Sequence, residues 1–168
     1  MNIRVIFSTV LMLSLVTLMH AQKYGFLNST QLILIHPDVK AADQKLTNFQ
    51  NDMLAKGDTM VKALELNYAK YVEEANGGTL SKLQMQEREA ALGQEQEAIR
   101  AFETEIQQAL IKKREELYQP ILNSIQQAVQ AVGKEEGYTF IFDSSTGVIL
   151  HASETENVFD KVKVKLGL

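Results

Sequence analysis

The feature that most constrains this chain is a pair of long apolar heptads separated by a single break. From Asp38 to Ala75 there is no proline, and Val39, Leu46, Met53 and Met60 lie seven apart, with Ala42 and Phe49 at the alternate positions. Such spacing puts a continuous seam on one side of a helix. Asn76-Gly77-Gly78 interrupts it with residues that tolerate positive φ. Thr79 or Ser81 can then cap a second helix running to about Val132, where Met85, Leu92, Ile99 and Ile106 repeat the heptad. Phe102 and Ala109 take its alternate positions, and Leu110, Leu117 and Ile121 carry the seam onward. His36-Pro37-Asp38 is a start signal, because proline suits the first turn and acid favours a helix N-terminus. At about 1.5 Å per residue the helices would be roughly 57 and 78 Å long. A two-helix hairpin of that reach encloses no globular core, so residues 38–132 are predicted to form an antiparallel coiled-coil arm. Gly57 and Gly93 inside it read as surface glycines or as bending points, and Pro120 predicts a kink near Tyr118 or Gln119.

The ends have a different character. Tyr24–Asn28 is a strand candidate, and Tyr138-Thr139-Phe140-Ile141-Phe142 alternates aromatic and β-branched residues after the helix-ending Gly137. Asp143-Ser144-Ser145-Thr146-Gly147 has turn chemistry, and Val148-Ile149-Leu150 reads as a returning strand. Asn157 and Asp160 can cap a last short helix through Leu166. The expected fold class is therefore α+β, predominantly α, with a small β-rich body from residues 23–36 and 138–168. A body of three or four short strands is marginal alone, and its exposed edges invite pairing with other copies.

The first 21 residues read as an address. One arginine at position 4 precedes the apolar run Val5–Met19, and His20-Ala21 leads into the polar Gln22-Lys23. This is the layout of a secretory signal peptide cut near Ala21, and the run is short of the roughly 20 residues that span a bilayer. Residues 22–168 would form one mature domain, with 16 positive and 21 negative side chains. Export of a chain without cysteine fits a bacterial periplasm better than a disulfide-rich extracellular space.

Chemistry is scarce. The absence of cysteine removes disulfides, zinc fingers and thiol nucleophiles, and the negative balance argues against nucleic-acid binding. His36 and His151 stand far apart in sequence, whereas a metal site needs several ligands at close spacing. They read as satisfied surface histidines. Glu73-Glu74, Glu115-Glu116 and Glu135-Glu136 read as solvated helix faces, and Glu115-Glu116 offset the basic cluster Lys112-Lys113-Arg114. The expectation is a protein that is not an enzyme, with no catalytic, cofactor or metal residues. Met53, Met60, Tyr68, Tyr71 and Met85 cluster in the half of the hairpin nearest its break. They are either seam packing or an adaptable apolar surface for varied partners.

The arrangement resembles the Skp/OmpH-like periplasmic chaperones of outer-membrane proteins. The residues that carry the resemblance are Tyr24-Gly25-Phe26-Leu27-Asn28-Ser29 with Gln31, then Pro37, Tyr118-Gln119-Pro120-Ile121 and Ala128-Val129. Glu136-Gly137-Tyr138-Thr139-Phe140-Ile141-Phe142-Asp143 and the Val162…Leu166-Gly167 ending complete it. It spans residues 23–168, the arms matching only in helical character. It implies a jellyfish-shaped homotrimer that holds unfolded outer-membrane proteins without ATP or another cofactor and hands them to the membrane or its assembly machinery. Phe26, Phe140, Phe142 and Ile149 would then belong to the trimer body, and Met53, Met60, Tyr68, Tyr71 and Met85 would be client contacts. The reading from a different class is a structural coiled-coil spacer or adaptor in the cell envelope with one folded partner. Two departures from the family pattern stand out. Asn157-Val158-Phe159-Asp160 replaces the usual Asp-Leu-Thr-Asp-like segment. The tip sets Lys70 and Lys82 against Glu73, Glu74, Glu87 and Glu89, where the best-known members are basic.

Overall fold

A computed structural model of the chain describes residues 22–168; the expected signal peptide, 1–21, lies outside the described residues. In chain order the elements are β1 (Lys23–Leu27), α1 (Ser29–Ile35), α2 (Pro37–Asn76), α3 (Lys82–Glu136), β2 (Tyr138–Asp143) and α4 (Phe159–Lys165). Two 3-10 turns, Ser144–Thr146 and Glu154–Glu156, lie between β2 and α4. The architecture is α+β and predominantly α. Its described residues divide into two compact units, one of 22–35 with Ser124–Leu168, the other His36–Asn123.

In the first unit β1 and β2 pair in parallel, with Tyr24 opposite Phe140, Phe26 opposite Phe142 and Leu27 opposite Asp143. On its other edge β1 makes one further bridge, Phe26 to Asn157, closed by the Val158 N–H donating to the Phe26 carbonyl at 2.9 Å. The core is Leu27, Leu32, Ile125, Ala128, Val132, Val158 and Val162. A side chain at Gly25 would meet the Tyr138 ring and Val158 at 3.0 Å, so glycine there lets the strand backbone approach both. α4 begins after Asn157, whose Oδ1 accepts from the Phe159 N–H at 3.0 Å, while the helical cap position itself is Val158.

Two elements differ from the sequence reading. Residues 29–35, expected within a β-body, form the helix α1. Asn28 Oδ1 accepts from the Gln31 N–H at 3.2 Å, and the Ser29 N–H and hydroxyl both donate to Asp143. These bonds satisfy the open donors of a helix start and outweigh the strand preference of Leu32-Ile33-Leu34-Ile35. Val148–Leu150, expected as a strand, pairs with no strand among the described residues. Asp143 accepts from the Ser145 N–H and starts a 3-10 turn, and Gly147 ends it at φ 72°. The chain is thereby turned away from an antiparallel return, and Val148 and Leu150 are exposed.

Charged groups fasten this unit's ends together. Glu136 accepts from Lys161 and from Lys23, and the Lys23 ammonium lies 4.0 Å from the Tyr138 ring centroid. The Lys161 hydrogen bond, joined by that of Lys23, holds the Glu136 carboxyl below the usual range. Burial works to raise Asp143, but bonds from the Ser29 hydroxyl and the Ser145 and Ser29 N–H groups hold it below its usual value. Both carboxyls are depressed on folding, so their stabilisation is complete above the unfolded carboxylate range, about pH 4, and is lost as the pH falls through the lower folded values. The melting temperature should be flat above about pH 5 and drop towards pH 3. Asp143→Asn with Glu136→Gln should lower the plateau and shrink the drop, read from thermal melts across this range.

In the second unit α2 and α3 run antiparallel. Positions that rise along α2 meet positions that fall along α3: Asp43 with Tyr118, Phe49 with Lys113, Lys56 with Phe102, Asn67 with Glu95, Tyr71 with Glu89 and Glu74 with Arg88. Pro37 occupies the first turn of α2, and His36 Nδ1 accepts from the Asp38 N–H at 3.3 Å. His36 is thus a cap whose side chain is 9% exposed, not a surface histidine. At the break, Gly78 is the residue with positive φ, 67°. Of the two expected caps, Ser81 starts α3: its hydroxyl accepts from the Gln84 N–H and the Gln84 side chain accepts from the Ser81 N–H, at 3.3 and 2.9 Å. This reciprocal pair is a capping box. Thr79 instead donates back to the Glu74 carbonyl. The helix runs unbroken through Pro120 to Gly137, where φ is 72°.

The two interior glycines have different surroundings. A side chain at Gly57 would touch the Phe102 ring at 3.6 Å, whereas Gly93 has nothing within 4 Å. Gly93→Ala should therefore stabilise the hairpin by about 0.5–1 kcal/mol through helix propensity and a less free unfolded chain, read as a higher denaturant midpoint.

Candidate functional site

The seam of the hairpin holds most of the apolar residues that the heptads place there. Ala42, Phe102 and Ile106 are buried, and Val39, Leu46, Phe49, Met53, Met60, Met85, Leu92 and Ile99 are half-buried. Of the five client-contact candidates, Met53, Met60 and Met85 thus lie half-buried on the seam. Tyr71 is also half-buried, and its hydroxyl donates across to Glu89; that bond to a carboxylate raises its pKa. Tyr68 stands apart from them and is exposed. Near the break the cross-helix contacts turn polar, with Asn67 donating to Glu95 at 2.8 Å and Arg88 lying 3.4 Å from Glu74.

A second apolar line runs one residue out of step with the seam. Leu54, Val61 and Tyr68 are seven apart and Val72 follows at four, all on α2 and between 37% and 56% exposed. At about 100° per residue this set lies roughly a quarter-turn from Met53, Met60 and Tyr71. Of this row the sequence reading names only Tyr68; Leu54 and Val61 carry the same heptad shifted by one, and Val72 continues the row at helical spacing. Exposed apolar side chains aligned on one face of a helix form a candidate interaction surface.

Placement on the seam gives Met53 and Met60 a testable role. Met53→Asp with Met60→Asp sets two carboxylates into the half-buried seam, where the apolar contacts of the methionines are lost and the charges are partly desolvated. The hairpin should melt at least about 10 °C lower in circular dichroism, and any binding of unfolded chains should fall in parallel rather than ahead of it.

The first unit presents a different surface. Tyr24, Phe140 and Phe142 lie on one face of the two-stranded sheet, with ring centroids 6.0–6.4 Å apart, and are 43–58% exposed. Tyr24, Phe26, Phe142, Val148 and Ile149 line an apolar groove on this unit. It therefore brings together three of the four body candidates, Phe26, Phe142 and Ile149, and Phe140 extends it through the ring stack. Tyr24 and Val148, which the sequence offers only as strand residues, join them, because the pairing of β1 with β2 brings together residues over a hundred positions apart. Among the described residues, no group of three or more His, Asp or Glu is placed to hold a metal. The arrangement offers surfaces for macromolecules.

Comparison with known proteins agrees with this geometry. The family model of outer membrane proteins (OmpH-like) matches residues 23–166. No curated protein matches the chain. A solved structure, described as a candidate outer membrane chaperone (OmpH-like) from Caulobacter crescentus CB15, has a TM-score of 0.71 at 14% identity. The match covers 86% of this chain and 83% of that one, and it shows a shared fold. The chain belongs to the OmpH-like outer membrane protein family.

Proposed function

We propose that this protein is an ATP-independent holdase chaperone of the periplasm, which binds unfolded outer-membrane proteins as a homotrimer and prevents their aggregation until handover to the membrane or its assembly machinery. The observation that carries the reading is the exposed apolar line Leu54–Val61–Tyr68–Val72 on the hairpin of a chain of this family. An unfolded client offers apolar side chains along an extended backbone, and a long apolar row can take them without a fixed sequence. Each contact is weak; three hairpins acting together raise effective concentration and so avidity. The aromatic face of Tyr24, Phe140 and Phe142, with the Val148–Leu150 segment that joins no strand among the described residues, supports self-association, since exposed edges and apolar patches favour pairing between copies.

The test is to dilute a urea-denatured outer-membrane barrel protein into buffer with and without residues 22–168 and follow light scattering. Suppression at near-equal trimer and client concentrations, unchanged by ATP, is the expected result. Unaltered aggregation in the presence of a well-folded trimer contradicts it and leaves a spacer or adaptor with one folded partner.

A further inference from the structure

The charge of the hairpin gives the exposed apolar line a preferred kind of partner. Residues 57–105, the stretch around the break, carry ten acidic and five basic side chains, while the rest of residues 22–168 carries eleven of each. The whole excess of negative charge therefore lies along this stretch. Two of its carboxylates lie within the apolar line itself: Asp58 falls between Leu54 and Val61, and Glu65 between Val61 and Tyr68. The spacing 54, 58, 61, 65, 68, 72 keeps all six within about 40° of one helical direction, over roughly 27 Å. All six are exposed, and neither Asp58 nor Glu65 forms an ion pair or side-chain hydrogen bond among the described residues. Lys62 lies about 80° round the helix, at the edge of the row.

We infer that Leu54, Asp58, Val61, Glu65, Tyr68 and Val72 form a binding strip for extended, unfolded polypeptide segments that combine apolar and basic side chains. This inference rests on the holdase reading and names its client class. A basic segment laid along the strip places its ammonium or guanidinium groups against free carboxylates while its apolar groups cover Leu54, Val61 and Tyr68. An acidic segment of equal hydropathy meets like charge, which costs affinity and on-rate. Lysine and arginine suit the strip further because their aliphatic stems cover apolar surface while the charged ends reach a carboxylate.

The experiment uses two fluorescein-labelled peptides of equal length and the same apolar residues, one carrying lysines and the other glutamates, titrated with residues 22–168 and read by anisotropy. The lysine peptide should bind at least tenfold tighter at low salt, and the gap should narrow at 0.5 M salt as screening shortens the reach of the charges. Asp58→Lys with Glu65→Lys should erase or reverse the preference, and the milder Asp58→Asn with Glu65→Gln should reduce it severalfold, with unchanged melting. Leu54→Ser, Val61→Ser and Tyr68→Ser together should weaken both peptides at least tenfold. Equal affinity for the two peptides, or a preference indifferent to the charge variants, overturns the inference while suppression of barrel aggregation still upholds the holdase. Full binding by the serine variant moves the clients elsewhere, and a lower mass of that variant alone makes a second copy the occupant; either overturns the inference. Loss of barrel protection together with no binding of either peptide rejects the holdase reading itself.

Discussion

In the proposed homotrimer, Phe140→Glu with Phe142→Glu should leave a folded monomer. Both rings are about half exposed in the single chain and lie on the outer face of the sheet, where Phe140 stacks with Tyr24 and Phe142, and Phe142 is tilted against Tyr24. The inner face, with Gly25 and Leu27 buried, contributes the core. Glutamate at either outer position therefore leaves the core untouched, yet places a carboxylate where a second copy would have to cover it. Loss of an aromatic anchor at the centre of an interface costs about 2–4 kcal/mol, so the pair should weaken association by about a thousandfold or more. Multi-angle light scattering would show the mass fall from three chains to one, with helical content retained. A trimer that survives both substitutions would place the contact between copies elsewhere.

Leu32→Ala should be the most damaging of the single core truncations in the first unit. Leu32 is 0% exposed and is the buried residue of the two-turn helix α1. A helix of seven residues has little stability of its own, so its place depends on this side chain and on the Ser29–Asp143 bonds. Truncation costs about 2–5 kcal/mol, from lost transfer energy and the cavity left behind. For a unit built on two strands and short helices, that is a large share of typical domain stability. Chemical denaturation should show a lower midpoint, and the Ser29–Asp143 pair should become more sensitive to acid, since α1 would no longer be held from its other side.

The parts of this fold that could be read in the sequence are those in which a pattern repeats. Two heptads, Pro37, the glycine break and Gly137 define both long helices, because periodicity over five turns or more is hard to mimic by chance. The strands at the two ends were legible by composition, although nothing local showed that they pair in parallel with each other. α1 was not legible: two turns cannot display a 3.6-residue period, and Leu32-Ile33-Leu34-Ile35 looks like a strand until Asp143, over a hundred residues away, caps its start. Val148–Leu150 has strand residues, but after the turn at Gly147 they pair with no strand among the described residues.

The candidate surface was legible only in part, for a geometric reason. Met53 and Leu54 are both apolar, and one position on a helix separates a residue facing the other helix from one facing solvent. Once the seam accounts for the periodicity, the parallel row at Leu54, Val61 and Tyr68 is easily passed over. Its meaning emerges when exposure is known, and its interleaved carboxylates then distinguish it from a leftover of packing.

The most direct measurement is the mass of the complex formed when a urea-denatured outer-membrane barrel protein is diluted into a slight excess of residues 22–168 and separated by size exclusion with multi-angle light scattering. The account predicts a soluble species of three chains and one client, formed without nucleotide and absent when a folded barrel is supplied instead. A client that elutes as aggregate while the chains run alone as a trimer would contradict it.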